Sequence, residues 1–132
     1  MARDYDALLR FIAEREVMPF DWGDDANDCV SFANASAIAH RARNPVRELG
    51  VSWSSAIGAA RVLKRLGGLE VAVARALPII PVSMAKRGDW GLVVGKHGKL
   101  VTVIEGETAI GPGEKRAVRF DRRQILTAWS LD

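Results

Sequence analysis

The chain has 132 residues, of which 48% are hydrophobic, and its 19 lysines and arginines exceed its 16 aspartates and glutamates. No apolar run approaches the roughly 20 residues of a membrane span, and the charged N-terminus does not have the pattern of a secretory signal. One cysteine and two well-separated histidines exclude an internal disulfide and a four-cysteine zinc site, so we expect no metal and no other cofactor.

The net charge of +3 comes from basic residues that are dispersed along the chain. A nucleic-acid-binding surface would need a concentrated basic groove with interleaved aromatic residues or a known motif, and the sequence has neither. We therefore expect no nucleic-acid partner, and we interpret most of the lysines and arginines as solvated faces of helices and turns.

Helical periodicity occupies the first half of the chain. A first helix is predicted over about 4–17 from apolar residues at i, i+3, i+4 and i+7, namely Tyr5, Leu8, Leu9 and Ile12. A second should begin at Asp28 or Cys29 and run to about Arg41, and its many small residues predict a central, buried helix. Ser52 is the expected N-cap of a third helix that stops at Gly67, and a short fourth helix covers about 69–76.

The pattern then changes to short β-branched segments separated by glycines. "WGLVVG", "KLVTVIEG" and "ETAIGPG" predict three strands, 118–120 and 126–130 predict two more, and Gly95 to Gly98 predicts a hairpin turn. Helices followed by a small antiparallel sheet are typical of α+β architecture. We expect a single domain over 1–132, with a helical half of about 1–77 and a β half of about 88–132.

Cys29 is the one candidate nucleophile. A thiol attacks as its thiolate, and the amides at a helix start lower the thiol pKa. The neighbouring acids, Asp24, Asp25 and Asp28, act in the opposite direction because they disfavour a second negative charge. Residue chemistry alone therefore leaves both a catalytic and a packing role open, and catalysis would also require a histidine as proton carrier.

Three short motifs in a fixed order carry a family resemblance. They are Phe20-x-Trp22-Gly23, then Asp28-Cys29-x-Ser31-Phe32, then Arg87-Gly88-Asp89 before the first main strand. This order resembles the NlpC-type cell-wall peptidases, which are small papain-like enzymes. Along essentially its whole length the chain also resembles an uncharacterised family of small phage and prophage proteins in that superfamily. The resemblance implies a papain-like, NlpC-like fold with helices packed on a small antiparallel sheet.

The resemblance also assigns site residues. It implies that Cys29 is the nucleophile and that Asp28 precedes it in the cleft. It implies that Phe20 and Trp22 shape the cleft beside the thiol, although the residues alone leave Trp22 equally suited to a groove or to the core. Asp89 is implied to be a cleft residue in the turn that enters the sheet.

The expected base histidine is missing. When the sequence is aligned on the strand that ends at Gly106, Leu100 stands at the histidine position, and leucine cannot accept a proton. His40 lies eleven residues beyond Cys29 on the same predicted helix, about 16 Å away, and cannot reach the thiol. His97, in the predicted hairpin turn, is the remaining candidate base.

Three functions compete at this point. The favoured one is a phage or prophage tail-associated protein, a tail-tip or tail-assembly component with lost or weak hydrolysis. Its partners would be other tail proteins, and it would move from the bacterial cytoplasm to the virion tail. The second is an active cysteine peptidase or amidase that cleaves peptidoglycan stem peptides. The third is a non-catalytic module that binds cell wall or peptide.

Overall fold

The computed structural model describes residues 2–132, in which helices precede a six-stranded sheet. The helices are α1 (Tyr5–Arg15), α2 (Cys29–Arg41), α3 (Pro45–Leu49), α4 (Ala56–Leu66) and α5 (Leu69–Ala74). The strands are β1 (Ile79–Ile80), β2 (Trp90–Gly95), β3 (Gly98–Ile104), β4 (Thr108–Gly111), β5 (Val118–Asp121) and β6 (Thr127–Trp129). Their order in the sheet is β1-β6-β2-β3-β4-β5, and neighbouring strands are antiparallel. The α+β prediction is confirmed.

Helix α1 uses a different face from the one predicted. Its N-cap, Asp4, accepts a hydrogen bond from the Ala7 amide at 3.0 Å. The buried residues are Leu8, Phe11 and Ile12, whereas Tyr5 and Leu9 are exposed. The apolar stripe is therefore set by Leu8 with its neighbours at i+3 and i+4, and the expectation that Tyr5 and Leu9 face inward was wrong.

Helix α2 has the predicted bounds and the predicted burial. Its inner face, which includes Phe32, Ala33, Ser36 and Ala37, is almost completely buried. Small side chains allow this helix to lie close to α1 on one side and to β3 on the other. The ring edge of Phe32 packs on Phe11 with 5.2 Å between centroids.

The segment after α2 differs from the prediction in two places. The short helix α3 is absent from the predicted elements; it begins at Pro45, because the Asn44 side chain caps it and proline suits a first helical position. The N-cap of α4 is Ser55, whose hydroxyl accepts from the Gly58 amide at 3.0 Å. The assignment of Ser52 as that cap was wrong, whereas the predicted stop at Gly67 is confirmed.

The two faces of the sheet carry two hydrophobic clusters. The first lies between the helices and the sheet and includes Leu92, Val101, Val103 and Trp129. The second covers the opposite face and includes Val93, Ile104, Ala109, Ile125 and Ala128. The predicted hairpin turn is confirmed, since Gly95 pairs with Gly98 across residues 96–97. No helix within residues 2–132 is long and apolar enough to cross a lipid bilayer.

Candidate functional site

Asp28 organises the start of α2. Its carboxylate is 2% exposed, and Oδ1 accepts from the Ser31 amide at 2.9 Å and lies 2.8 Å from the Ser31 hydroxyl. Oδ2 accepts from the Gly23 amide at 3.0 Å and from the indole Nε1 of Trp53 at 2.6 Å. With both oxygens already satisfied by donors, Asp28 fixes the loop, the helix start and Trp53 in position.

In the loop that the Asp28 contacts hold in place, Trp22 is exposed to solvent. Gly23 has a φ of +138°, a conformation that glycine adopts readily. Its carbonyl lies within hydrogen-bonding reach of the Ser31 hydroxyl. Trp22 is 45% exposed and meets the ring of Phe20 edge-on, with 4.9 Å between centroids. Trp22 therefore lies outside the hydrophobic core, on the wall of an open cavity. Phe20 contacts that indole and is not among the residues that line the cavity.

The cavity beside Cys29 has a volume of about 160 Å³. It lies between the start of α2, the helices α4 and α5, and the beginning of β3. Aliphatic side chains form most of its wall, including Val46, Val62, Leu63, Leu66, Leu69 and Val73. Cys29, Asp28, Trp22, Trp53 and Lys99 also line it. The predicted cleft residues Cys29, Trp22 and Asp28 therefore meet at one apolar site.

The Cys29 thiol is held in its neutral form. Burial is the main cause that raises its pKa to about 11, and the charge of Asp28 raises it further. Hydrogen bonds from the backbone of Val101, Val30 and Cys29 itself lower the pKa, but by less. The helix start therefore has the predicted direction of effect on the thiol, and desolvation outweighs it.

His97 lies in the turn between β2 and β3. Its side chain is 71% exposed, and Nε2 is 3.0 Å from a carboxylate oxygen of Glu114, which is equally exposed. Among residues 2–132, the lining of the Cys29 cavity contains no histidine. The structure thus brings His97 to Glu114 and not to the cavity that Cys29 faces.

Leu100 does not stand beside the thiol, contrary to the alignment-based expectation. Side chains alternate along a strand, and Leu100 packs against the second cluster, on the sheet face away from α2. On the opposite face, Val101 belongs to the cluster that contacts Cys29, and Lys99 reaches the cavity. The residue of β3 at the cavity is therefore Lys99, whose Nζ lies 2.8 Å from Glu70. Alternation along β3 from Val103 through Val101 predicts this position for Lys99.

The far end of α2 holds His40. This ring is 2% exposed, and its Nδ1 donates to the Ser36 carbonyl at 2.6 Å. Among residues 2–132 its Nε2 has no hydrogen-bond partner, and Gly88 lies so close that an added Cβ there would be 2.3 Å from that atom. Burial is the main cause that lowers the pKa of His40, and the nearby charge of Arg3 contributes. His40 is therefore a neutral, enclosed ring at the opposite end of the helix from Cys29.

Asp89 enters the sheet as predicted but does not line the cavity beside Cys29. Its carboxylate is 1% exposed and accepts from the Lys86 amide at 2.9 Å and the Leu131 amide at 3.1 Å. It also pairs with the guanidinium of Arg3 at 2.5 Å, and that guanidinium extends to Asp132. The expectation of a cleft role for Asp89 is corrected accordingly, because its oxygens join the two ends of the chain.

Metal ligation finds no support in the described part of the chain. Within residues 2–132, no group of three histidine, cysteine, aspartate or glutamate side chains lies close enough to hold an ion.

A second hollow of about 460 Å³, lined by Arg15, Asp24, Asp25 and Arg47 among others, lies on the other side of the α2 start. Its Arg15 already donates to the Ala26 carbonyl and to Asn27.

The fold and site define an α+β protein with a neutral thiol in the wall of an apolar cavity. The chain belongs to a family described as "Domain of unknown function (DUF6950)", which matches residues 2–131. No curated protein matches the chain.

Proposed function

We propose that this chain is a phage or prophage tail-associated protein, a tail-tip or tail-assembly component that keeps an NlpC-like, papain-like framework with hydrolysis lost or weak. The framework is supported by Cys29 at the first position of a buried helix that packs across an antiparallel sheet. The resemblance of essentially the whole chain to small phage and prophage proteins supports the tail association. On this proposal the protein meets other tail proteins in the bacterial cytoplasm and then resides in the virion tail.

The state of Cys29 is the observation that carries the loss of hydrolysis. With a pKa of about 11, on the order of one thiol in ten thousand is ionised at pH 7. A thiol hydrolase needs a neighbouring base to overcome such a deficit, and the cavity offers Lys99, already paired with Glu70. Lysine in its charged form has no lone pair to accept a proton.

The test has two parts. Purified phage particles, induced from the host, should contain the protein, and purified cell wall should be cleared equally poorly by the wild type and by Cys29→Ala. Absence from both the particles and their assembly intermediates would remove the tail association. Clearing by the wild type but not by Cys29→Ala would replace the proposal with an active cysteine peptidase or amidase that acts on peptidoglycan.

A non-catalytic binding module is the second candidate function, and the exposed Trp22 on the wall of an open cavity favours it. This candidate predicts saturable binding to a cell-wall or peptide fraction. Such binding should survive Cys29→Ser, because no covalent step is involved, and should weaken with Trp22→Ala. A sedimentation assay with purified wall measures it, and lack of any saturable binding would count against it.

A further inference from the structure

The buried ring of His40 has no room for a second proton. Its Nδ1 already donates to the Ser36 carbonyl, so a further proton would have to go to Nε2. In the described part of the chain Nε2 has no hydrogen-bond partner, and an added Cβ on Gly88 would lie only 2.3 Å from it. A buried charge without a partner is strongly unfavourable, so the ring can become charged only if its surroundings move.

The charged groups that face the ring come from three parts of the chain. Burial is the main cause that lowers the pKa of His40, and Arg3 in the N-terminal segment and Arg41 on α2 lower it further. The Ser36 carbonyl and Asp89, in the turn before β2, act in the opposite direction. The closed fold therefore accepts the proton less readily than a form in which the ring reaches water.

The turn that lies against the ring also holds both ends of the chain. The guanidinium of Arg3 donates to the carbonyl of Arg87 at 2.5 Å and pairs with Asp89, and these are the two neighbours of Gly88. Asp89 also accepts from the Leu131 amide at 3.1 Å. Gly88 therefore cannot move away from the ring without moving the oxygens that hold the two chain ends.

The N-terminal segment is also tied to His40 directly, because the His40 carbonyl accepts from the Asp4 amide at 2.8 Å. At the other end of the chain, Asp132 pairs with Arg3 at 3.2 Å and with Lys86 at 2.7 Å. Hydrogen bonding from Lys86 is the main cause that lowers the pKa of Asp132 to about 2. This carboxylate stays ionised at pH 5, so a change in the chain ends between pH 7 and pH 5 does not come from Asp132.

We propose that protonation of His40 opens the turn at residues 87–89 and releases both chain ends from it, while the helices and the sheet stay folded. Chain ends and turns open at a lower cost than a packed core. The ends are held above the ordinary histidine pKa of about 6.5 and open as pH falls below it, because only the open form binds the proton freely. This inference is independent of the proposed function, since it involves neither Cys29 nor the cavity beside it.

The experiment is an NMR titration of the isotopically labelled full chain from pH 8 to pH 5, which follows the His40 ring together with amide hydrogen exchange. Protection factors, which correct for the intrinsic pH dependence of exchange, are compared at Leu131 and at Val103, a buried residue of the sheet. Between pH 6.5 and pH 5, protection at Leu131 should fall by up to about tenfold per pH unit. Protection at Val103 should change by less than about twofold, and the ring should gain its proton no earlier than the chain ends open.

A matched pair of variants assigns the effect to one histidine. His40→Gln keeps a donor for the Ser36 carbonyl but cannot titrate, so the loss of protection at Leu131 should disappear. His97→Gln removes the exposed histidine and should leave that loss unchanged. The ring titration of the wild type tests the same coupling without depending on whether a variant folds.

Four results would overturn the inference. They are constant protection of Leu131 down to pH 5, a His40 ring that gains its proton before Leu131 opens, the same loss of protection in His40→Gln, and an equal loss at Val103. The last result would indicate unfolding of the whole chain.

Discussion

The two ends of α2 have opposite surroundings. At the N-terminal end, Cys29 faces an open apolar cavity of about 160 Å³ that Val62, Leu63 and Leu66 of α4 help to line. At the C-terminal end, His40 is enclosed, with Gly88 pressed against its ring. Eleven residues of helix separate them, which corresponds to about 16 Å.

This difference between the two ends of α2 indicates what each end contributes to the protein. A thiol hydrolase would bring a cysteine and a histidine together, whereas here one rigid helix holds the chain's thiol and one of its imidazoles apart. Burial keeps both groups neutral, because it raises the pKa of Cys29 and lowers the pKa of His40. The closed end holds His40 inside the fold, and the open end leaves Cys29 facing the cavity.

The largest expected effect is at the closed end. Gly88→Ala places a Cβ 2.3 Å from His40 Nε2 on a residue with a φ of +90°, so both a clash and backbone strain arise. We expect a loss of unfolding free energy of about 3 kcal/mol or more, measured by urea denaturation. Gly98→Ala is the control, since it has a φ of +113° and open space around it, and should lose only about 1–2 kcal/mol. Equal losses would show that His40 is not tightly enclosed.

At the open end, Asp28→Ala removes the N-cap of α2 and leaves the half-buried Trp53 indole and the buried Gly23 amide without their acceptor. We expect a loss of about 2–3 kcal/mol in the same denaturation assay. Asp25→Ala, an exposed acid of the same loop, should change stability by less than about 0.5 kcal/mol. If the two variants were equally stable, the loop and helix start would not depend on Asp28.

The reactivity of the Cys29 thiol tests how strongly the fold suppresses its ionisation. Since the pKa of Cys29 is raised to about 11, alkylation by iodoacetamide at pH 8 should be about 100-fold slower in the folded protein than in the urea-unfolded chain. The folded rate should continue to rise with pH until about pH 11. Rapid alkylation at pH 7 would contradict the neutral-thiol assignment and revive the peptidase alternative.

The smallest expected effect is a pH dependence of stability at the closed end. The pKa of His40 is lowered in the fold, so the unfolded chain takes up the proton first as pH falls below about 6.5. Unfolding free energy should therefore decrease from pH 7 to pH 5.5. His40→Gln should lessen this decrease, whereas His97→Gln, at an exposed histidine, should keep it. The same decrease in both variants would assign it to other groups.

Features encoded by adjacent residues could be predicted from the sequence, and features that depend on distant contacts could not. The bounds of α2 and the β2–β3 hairpin follow from Asp28 as a cap and from the spacing of Gly95 and Gly98. The N-cap of α4 was not predicted correctly. It lies in the loop that contains Trp53, and Trp53 donates a hydrogen bond to Asp28, 25 residues earlier in the chain.

The same division applies to the candidate site. Cys29 at a helix start could be predicted, because capping is local. The cavity, by contrast, requires α4 and α5 to meet β3, which no short motif reports. Strand alternation predicts that Lys99 faces the cavity. Alignment of the strand on Gly106 puts Leu100 at that place instead. Enclosure of His40 depends on the approach of Gly88, which is far from it in sequence.

The buried pair of Arg3 and Asp89 has a consequence for handling the protein. Arg3 also donates to the Arg87 carbonyl at 2.5 Å, and Asp89 holds the Leu131 amide, so one carboxylate anchors both chain ends. Proteolytic trimming that removes Arg3 should therefore also loosen the segment around Leu131, although these two residues are far apart in sequence.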